Sequence, residues 1–239
     1  MSEQFAGQTV LVAGGTGGLG RAVSLMFLQQ GARVAVTYQK QDEWDDLEEA
    51  AKHHAKRLER HMVDVTNESA VSQLVATIVA QRGALDVLVN TVGGYAGGAP
   101  VWETQSDVLD HMLTLNLRSG FSLARAVIPA MLKRQHGAIV NVAAKAAIEH
   151  PAGAGAYAAS KAAALALLDS LAADVRGKGV RVNTILPSII DTPANRSAMP
   201  KADFAKWPKP EEIARVVLFL CSEDARVIHG AAIPVYGDS

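Results

Sequence analysis

Thr9-Val10-Leu11-Val12-Ala13-Gly14-Gly15-Thr16-Gly17-Gly18-Leu19-Gly20-Arg21 is a short apolar run that ends in clustered glycines and then opens an amphipathic stretch, Arg21–Gln30. Strand, tight turn and helix in that order bring exposed backbone N–H groups and the positive end of a helix dipole to one point, which suits a pyrophosphate. A glycine cluster alone reads equally well as a flexible turn; its strand–turn–helix context is what points to a dinucleotide.

Working outward, further β-branched runs fall at Arg33–Thr37, His61–Val65, Val87–Asn90, Ala138–Val142, Arg181–Leu186 and Ala231–Val235. Amphipathic stretches lie between them at Asp42–Leu58, Glu68–Gln81 and Tyr157–Arg176. This alternation is the rhythm of βαβ units, and strands apolar almost throughout imply a sheet covered on both faces. The expected fold is α/β, a doubly wound parallel sheet of the Rossmann type, as a single domain over 1–239. A stretch with four prolines and little periodicity, Ile189–Pro210, is expected to be a loop over a substrate site.

Composition narrows the function. Lys+Arg 23 against Asp+Glu 24 leaves a formal net charge of -1, so no positive field gathers nucleic acid or anionic lipid. The lone Cys221 forms no internal disulfide and no Cys-rich metal site, so no metal is expected. With no secretory pattern near the N-terminus and no long apolar span, the expectation is a cytoplasmic protein that does not enter a membrane and acts on a small molecule.

The spacing Gly14-x-x-x-Gly18-x-Gly20, with Thr16, Gly17 and Leu19 inside it, resembles the glycine motif of the short-chain dehydrogenase/reductase family, although Ala13 stands where that family usually has threonine. Asp64-Val65 and Asn90-Thr91-Val92-Gly93 follow in the family's order, and the resemblance runs from about Thr9 to Gly237. It implies an NAD(P)-dependent oxidoreductase with the adenine beside Asp64 and Val65 and the dinucleotide along Asn90, Val92 and Gly93. Tyr157-Ala158-Ala159-Ser160-Lys161 matches the family's Tyr-x-x-x-Lys, whose spacing puts both side chains on one helical face. A phenol near pKa ~10 donates a proton, and a neighbouring ammonium together with oxidised nicotinamide stabilises its anion. Asn116 resembles the family's helix asparagine in a proton relay. Pro187, Ile190 and Thr192 resemble the segment that clasps the nicotinamide, with Ser188 replacing a glycine.

Which dinucleotide is bound turns on Tyr38-Gln39-Lys40, after the second strand. An acid there would hold a ribose 2′-hydroxyl, and a base would suit a 2′-phosphate. With no acid at Tyr38 and Lys40 in reach, NADP is expected over NAD; as a solvated surface lysine, Lys40 would decide nothing. The resemblance further implies a homotetramer or homodimer, with Val101–Ser119 and Tyr157–Arg176 as interfaces.

One departure is informative. The family's catalytic serine stands thirteen residues before the tyrosine, and that position here is Ala144. Losing one such donor typically costs a factor of about 100 to 1,000 in rate. The sequence is locally similar to the dihydropteridine reductase branch, which also has alanine there, in Val92–Gly98, in Ala144-Lys145-Ala146-Ala147 and in Asp191–Arg196 with Met199-Pro200. That likeness implies reduction of a quinonoid dihydropterin, with Tyr95, Ala144 and Lys145 beside the substrate and Tyr95 stacking on a planar ring. Against it, Tyr38 replaces the acidic residue of that branch. A broad carbonyl reductase or alcohol dehydrogenase, with Lys145 or water in place of the serine, and a non-catalytic dinucleotide sensor stay open.

Overall fold

Every residue of the first strand, β1 (Thr9–Ala13), is buried, as it must be for a strand at the centre of a sheet covered on both faces. The computed structural model of the chain describes residues 3–239. β1 is flanked by β2 (Arg33–Tyr38) and β4 (Val87–Asn90), and the seven strands run in the order β3-β2-β1-β4-β5-β6-β7, all pairs parallel. β3 is Leu58–Met62, β5 Gly137–Val142, β6 Val180–Pro187 and β7 Ala232–Val235.

Helices α1 (Gly18–Gln29) and α9 (Pro210–Cys221) cover one face, packing Val23, Phe27, Val217 and Leu220 on Val10, Val12, Val34 and Val36. α3 (Glu68–Arg82), α5 (Ser119–Arg134) and α7 (Gly155–Asp174) cover the other, where Ile78, Leu123, Met131 and Leu168 meet Leu11, Leu88 and Ile139. Strand direction of growth reverses between β1 and β4, and the crevice outside the carboxyl ends of strands at such a point is where open α/β sheets bind ligands.

Two expected boundaries move. The third strand is Leu58–Met62, not His61–Val65, with Val34 paired to Leu58 and Tyr38 to Met62. It is the sheet edge, so Glu59 and Arg60 sit in it at little cost, while Val65 leaves the strand to join the core under α3. The helix expected over Asp42–Leu58 splits into α2 (Gln41–Ala50) and a 3₁₀ segment, Lys52–Arg57, because Leu58 is taken up by pairing with β2. Within Ile189–Pro210 a short helix forms, α8 (Pro193–Ala198), capped by the Thr192 hydroxyl and started by Pro193. Among the described residues no helix is long and apolar enough to cross a membrane, and no group of His, Cys, Asp and Glu is placed to hold a metal ion. Burial pushes the Cys221 thiol up to about 12, which leaves it an inert packing group in α9.

Candidate active site

The carboxyl ends of β1, β2, β4, β5 and β6 gather almost all of the sequence-expected site residues along one edge of the sheet. The turn after β1 is built so that no other residue type fits. Gly14 has φ +72°, and a Cβ on Gly20 would lie 2.1 Å from the Gly14 carbonyl oxygen. Thr91 fastens this turn to the end of β4, its hydroxyl donating to the carbonyls of Ala13 at 2.7 Å and Gly14 at 3.1 Å. The Thr37 hydroxyl accepts the Gly14 N–H at 2.9 Å, fastening it to β2.

Gly17 caps α1 with no side-chain hydrogen bond to the helix, in contrast to α3, whose first turn is capped by Asn67. A Cβ on Gly17 would meet only the Gly14 oxygen, at 3.7 Å. An uncapped helix N-terminus faced by open space and shaped by glycines fits a pyrophosphate, so the residues present suit a dinucleotide. Leu19 turns inward and is buried. Thr192 lies across this end of α1: a Cβ on Gly18 would come within 2.7 Å of its methyl carbon. Pro187 and Ile190 bring it there. The Pro187 carbonyl accepts from Lys145 N–H at 2.7 Å, and the Ile190 carbonyl from the Asn195 amide at 2.8 Å.

At the adenosine end, Val65 is buried and the Asp64 carboxylate accepts from both the N–H and the hydroxyl of Thr66, closing its own loop. Asn90 donates to Asn141 at 2.9 Å and accepts from Val92 N–H at 3.2 Å, which orients the strand end toward Gly93. Gln39 is exposed. Tyr38, the last residue of β2, and Lys40, two residues past it, are each engaged within the protein. Tyr38 is only 6% exposed and packs in the core on Trp44, ring centroids 5.3 Å apart. Lys40 is not a free ammonium; it donates to Glu43 at 2.9 Å.

At the other end α7 presents Tyr157 and Lys161. Lys161 is buried and donates to the Val142 carbonyl at 3.0 Å, tying α7 to the end of β5; burial pushes its ammonium down to about 8. Burial, with Tyr95 alongside, pushes the Tyr157 phenol up to about 12. In the bare protein, then, burial and the neighbouring Tyr95 favour the phenol over its anion. Asn116 sits in a π-helical turn, Thr114–Arg118, between α4 (Ser106–Leu113) and α5. Such turns concentrate at functional sites. Its amide grips the Gly94 backbone from both sides, accepting from N–H at 3.0 Å and donating to C=O at 3.1 Å, and it also donates to Ser160 at 3.0 Å. A Cβ on Gly93 would lie 2.8 Å from both Asn116 Oδ1 and Lys161 Nζ, so Gly93, Asn116 and Lys161 meet.

Ala144 is buried at the end of β5. Lys145, expected near the substrate, is turned aside: its ammonium donates to the Ser239 carbonyl at 3.2 Å, lies 3.4 Å from Glu149 and sits 5.0 Å above the Tyr236 ring. The lysine expected to replace the serine is therefore engaged with the C-terminal residues. Tyr95 is 65% exposed, its ring edge-to-face with Tyr157. Sequence reasoning passed over Thr37, Thr91 and Ser160. Ser160 lay inside the quoted Tyr157–Lys161 motif, and Thr91 inside the one beginning at Asn90; only their hydroxyl partners, distant in sequence, show what they do.

A glycine turn before an uncapped helix, at the reversal point of a parallel sheet, with a half-buried Tyr157 and a buried Lys161 across the crevice, defines a dinucleotide-dependent oxidoreductase site. Comparison with known proteins agrees. A family model described as Enoyl-(Acyl carrier protein) reductase matches residues 13–237. The chain is 30% identical to the 3-oxoacyl-[acyl-carrier-protein] reductase FabG of Thermotoga maritima, covering 98% of each chain. It is 33% identical to dehydrogenase/reductase SDR family member 4 of Bos taurus, over 97% of this chain and 87% of that one. A solved structure, NAD+-bound xylitol dehydrogenase, superposes with a TM-score of 0.90 at 28% identity, covering 98% of this chain and 99% of the other. The chain belongs to the short-chain dehydrogenase/reductase family, and it is an NAD(P)-dependent oxidoreductase.

Proposed function

We propose that the chain reduces a flat conjugated compound of the quinonoid type, quinonoid dihydropterin being the model, with Tyr157 delivering the proton. The observation that carries this reading is Ala144. Lys161 binds Val142 at the end of β5, and two residues further on the chain offers a buried methyl where a hydroxyl would be needed to steady a developing alkoxide. Reduction of a quinonoid ring restores aromaticity, so it needs a proton more than it needs that second donor.

When bound, the dinucleotide supplies the hydride. This chain's own residues do the rest. The Gly14–Gly20 turn and the first turn of α1 hold the pyrophosphate, with Asp64, Val65, Asn90 and Val92 along the adenosine side. Thr192, resting on Gly18, closes the segment Pro187–Thr192 over the nicotinamide end. Tyr157, kept protonated by burial, holds the proton at Oη, and Lys161 with Asn116 fixes the floor beneath it through Gly93 and Gly94. Tyr95 offers an exposed aromatic face at the mouth, and 189–210 forms the substrate loop. The same reading makes the protein a cytoplasmic homodimer or homotetramer.

A second reading, reduction of an ordinary carbonyl, is favoured by the 3-oxoacyl reductase among the relatives. Tyr157→Phe tests the proton donor, and the substrate preference of the native enzyme separates the two readings. The variant is expected to bind cofactor normally and to lose about a hundredfold or more in turnover. Retention of near-normal turnover would contradict Tyr157 as the proton source, and faster turnover of simple ketones than of quinonoid compounds by the native enzyme would favour the second reading.

A further inference from the structure

We propose that Glu43, in the first turn of α2, sets the dinucleotide preference of this enzyme and sets it toward NAD(H) rather than NADP(H). The proposal rests on the dinucleotide lying at the Gly14–Gly20 turn, and is independent of the substrate.

The adenosine ribose of a dinucleotide bound at such a turn lies between the turn and the end of the second strand. Here that gap is bridged by one side chain. Glu43 Oε2 accepts from the Thr16 hydroxyl, in the middle of the glycine turn, at 3.1 Å, and Glu43 Oε1 accepts from Lys40 Nζ, just past β2, at 2.9 Å. Thr16 is only 6% exposed and the Glu43 side chain that meets it 36%, so this carboxylate lies at the rim of the gap, against its wall on one side and open to solvent on the other. The last residue of β2 is Tyr38, which is committed to the core on Trp44. The carboxylate is instead delivered from the following helix, five residues beyond the end of the strand.

Charge then decides between the two cofactors. Beside the gap stand Arg21, Lys40, Asp42 and Glu43; Arg21 is held on the Asp46 carbonyl of α2 at 3.3 Å and Lys40 on Glu43 at 2.9 Å, while Glu43 is the one that bonds the glycine turn. Lys40 is paired with Glu43 at 2.9 Å in an exposed i,i+3 ion pair, so its charge is balanced by the same carboxylate that meets Thr16. A carboxylate accepts hydrogen bonds from a ribose diol, whereas a phosphate offers no proton to it and repels it. Thr16, which could donate to a phosphate oxygen, is already donating to Glu43.

The test is fluorescence titration of NADH and NADPH, without substrate, on the wild type, Glu43→Gln, Asp42→Asn and Gly18→Asp. The wild type is expected to bind NADH at least about tenfold more tightly than NADPH, and Glu43→Gln to narrow that ratio about tenfold, mainly by tightening NADPH. Asp42→Asn, one residue away and without a bond to the glycine turn, is expected to move the ratio by less than about threefold. A wild-type preference for NADPH, an unmoved ratio in Glu43→Gln, or an equal shift in Asp42→Asn would overturn the assignment. Loss of both cofactors in Gly18→Asp accompanied by an unmoved ratio in Glu43→Gln would overturn the role of Glu43 while leaving the glycine-turn site standing.

Discussion

Tyr95 and Tyr157 meet edge to face, ring centroids 5.0 Å apart and planes at 73°, although one comes from the loop after β4 and the other from the start of α7. The contact depends on two glycines. A Cβ on Gly97 would collide with the Tyr95 hydroxyl at 2.5 Å, and the Gly98 N–H donates to the Gly153 carbonyl at 2.7 Å, sewing the two loops together. The mouth of the candidate site is thus an aromatic corner with Tyr157 as its inner wall.

Tyr95→Ala is expected to raise the substrate KM by about two- to tenfold, the worth of one aromatic contact at roughly 0.5–1.5 kcal/mol, with little change in kcat. Tyr95→Phe is expected to behave as the wild type. Steady-state kinetics on the two variants checks this; a fall in kcat with KM unchanged in Tyr95→Ala would place the tyrosine in the chemistry instead.

Lys161 carries a stability cost with a defined pH window. Its folded value, about 8, lies below the ordinary 10.5, so the unfolded chain binds more protons between those limits and stability from this group rises with pH through that window. Below pH 8 the cost is fully present, at most about 3 kcal/mol. Lys161→Met is expected to be more stable than the wild type at pH 7, to lose that advantage by pH 10, and to be inactive. Denaturant unfolding at pH 7 and pH 10 measures both.

Asn116, itself buried, holds the half-buried Gly94 by two hydrogen bonds. Asn116→Ala leaves the half-buried N–H and C=O of Gly94 without that partner and is expected to cost about 1–2 kcal/mol in unfolding free energy, with turnover reduced because the floor under Lys161 loosens. Chemical denaturation and kcat on the same preparation test the coupling; a stable variant with full turnover would remove Asn116 from the site.

The fold was legible in the sequence to the extent that burial on both faces makes strands continuously apolar. β1, β4 and β5 are fully buried, and their expected bounds agree to within one residue. β3 was misplaced because an edge strand has no such requirement: Glu59 and Arg60 hide it, and Val63 and Val65 imitate it from the next loop. For the candidate site, backbone features were readable, since Gly14 and Gly20 are demanded by geometry that only glycine meets. Side-chain commitments were not. Nothing in the order of residues shows that Tyr38 turns into the core, that Lys40 is engaged by Glu43, or that Lys145 reaches Ser239 across the chain.

Ala144→Ser tests the central claim most directly, because it restores the missing donor and asks which substrate benefits. Measured as kcat/KM for a quinonoid dihydropterin and for an aliphatic ketone, in wild type and variant, ketone reduction is expected to rise about ten- to a hundredfold, part of the hundred- to thousandfold such donors typically supply, while the quinonoid reaction changes by less than about threefold. An equal gain for both substrates, or a wild type that already reduces ketones faster than quinonoid compounds, would contradict it.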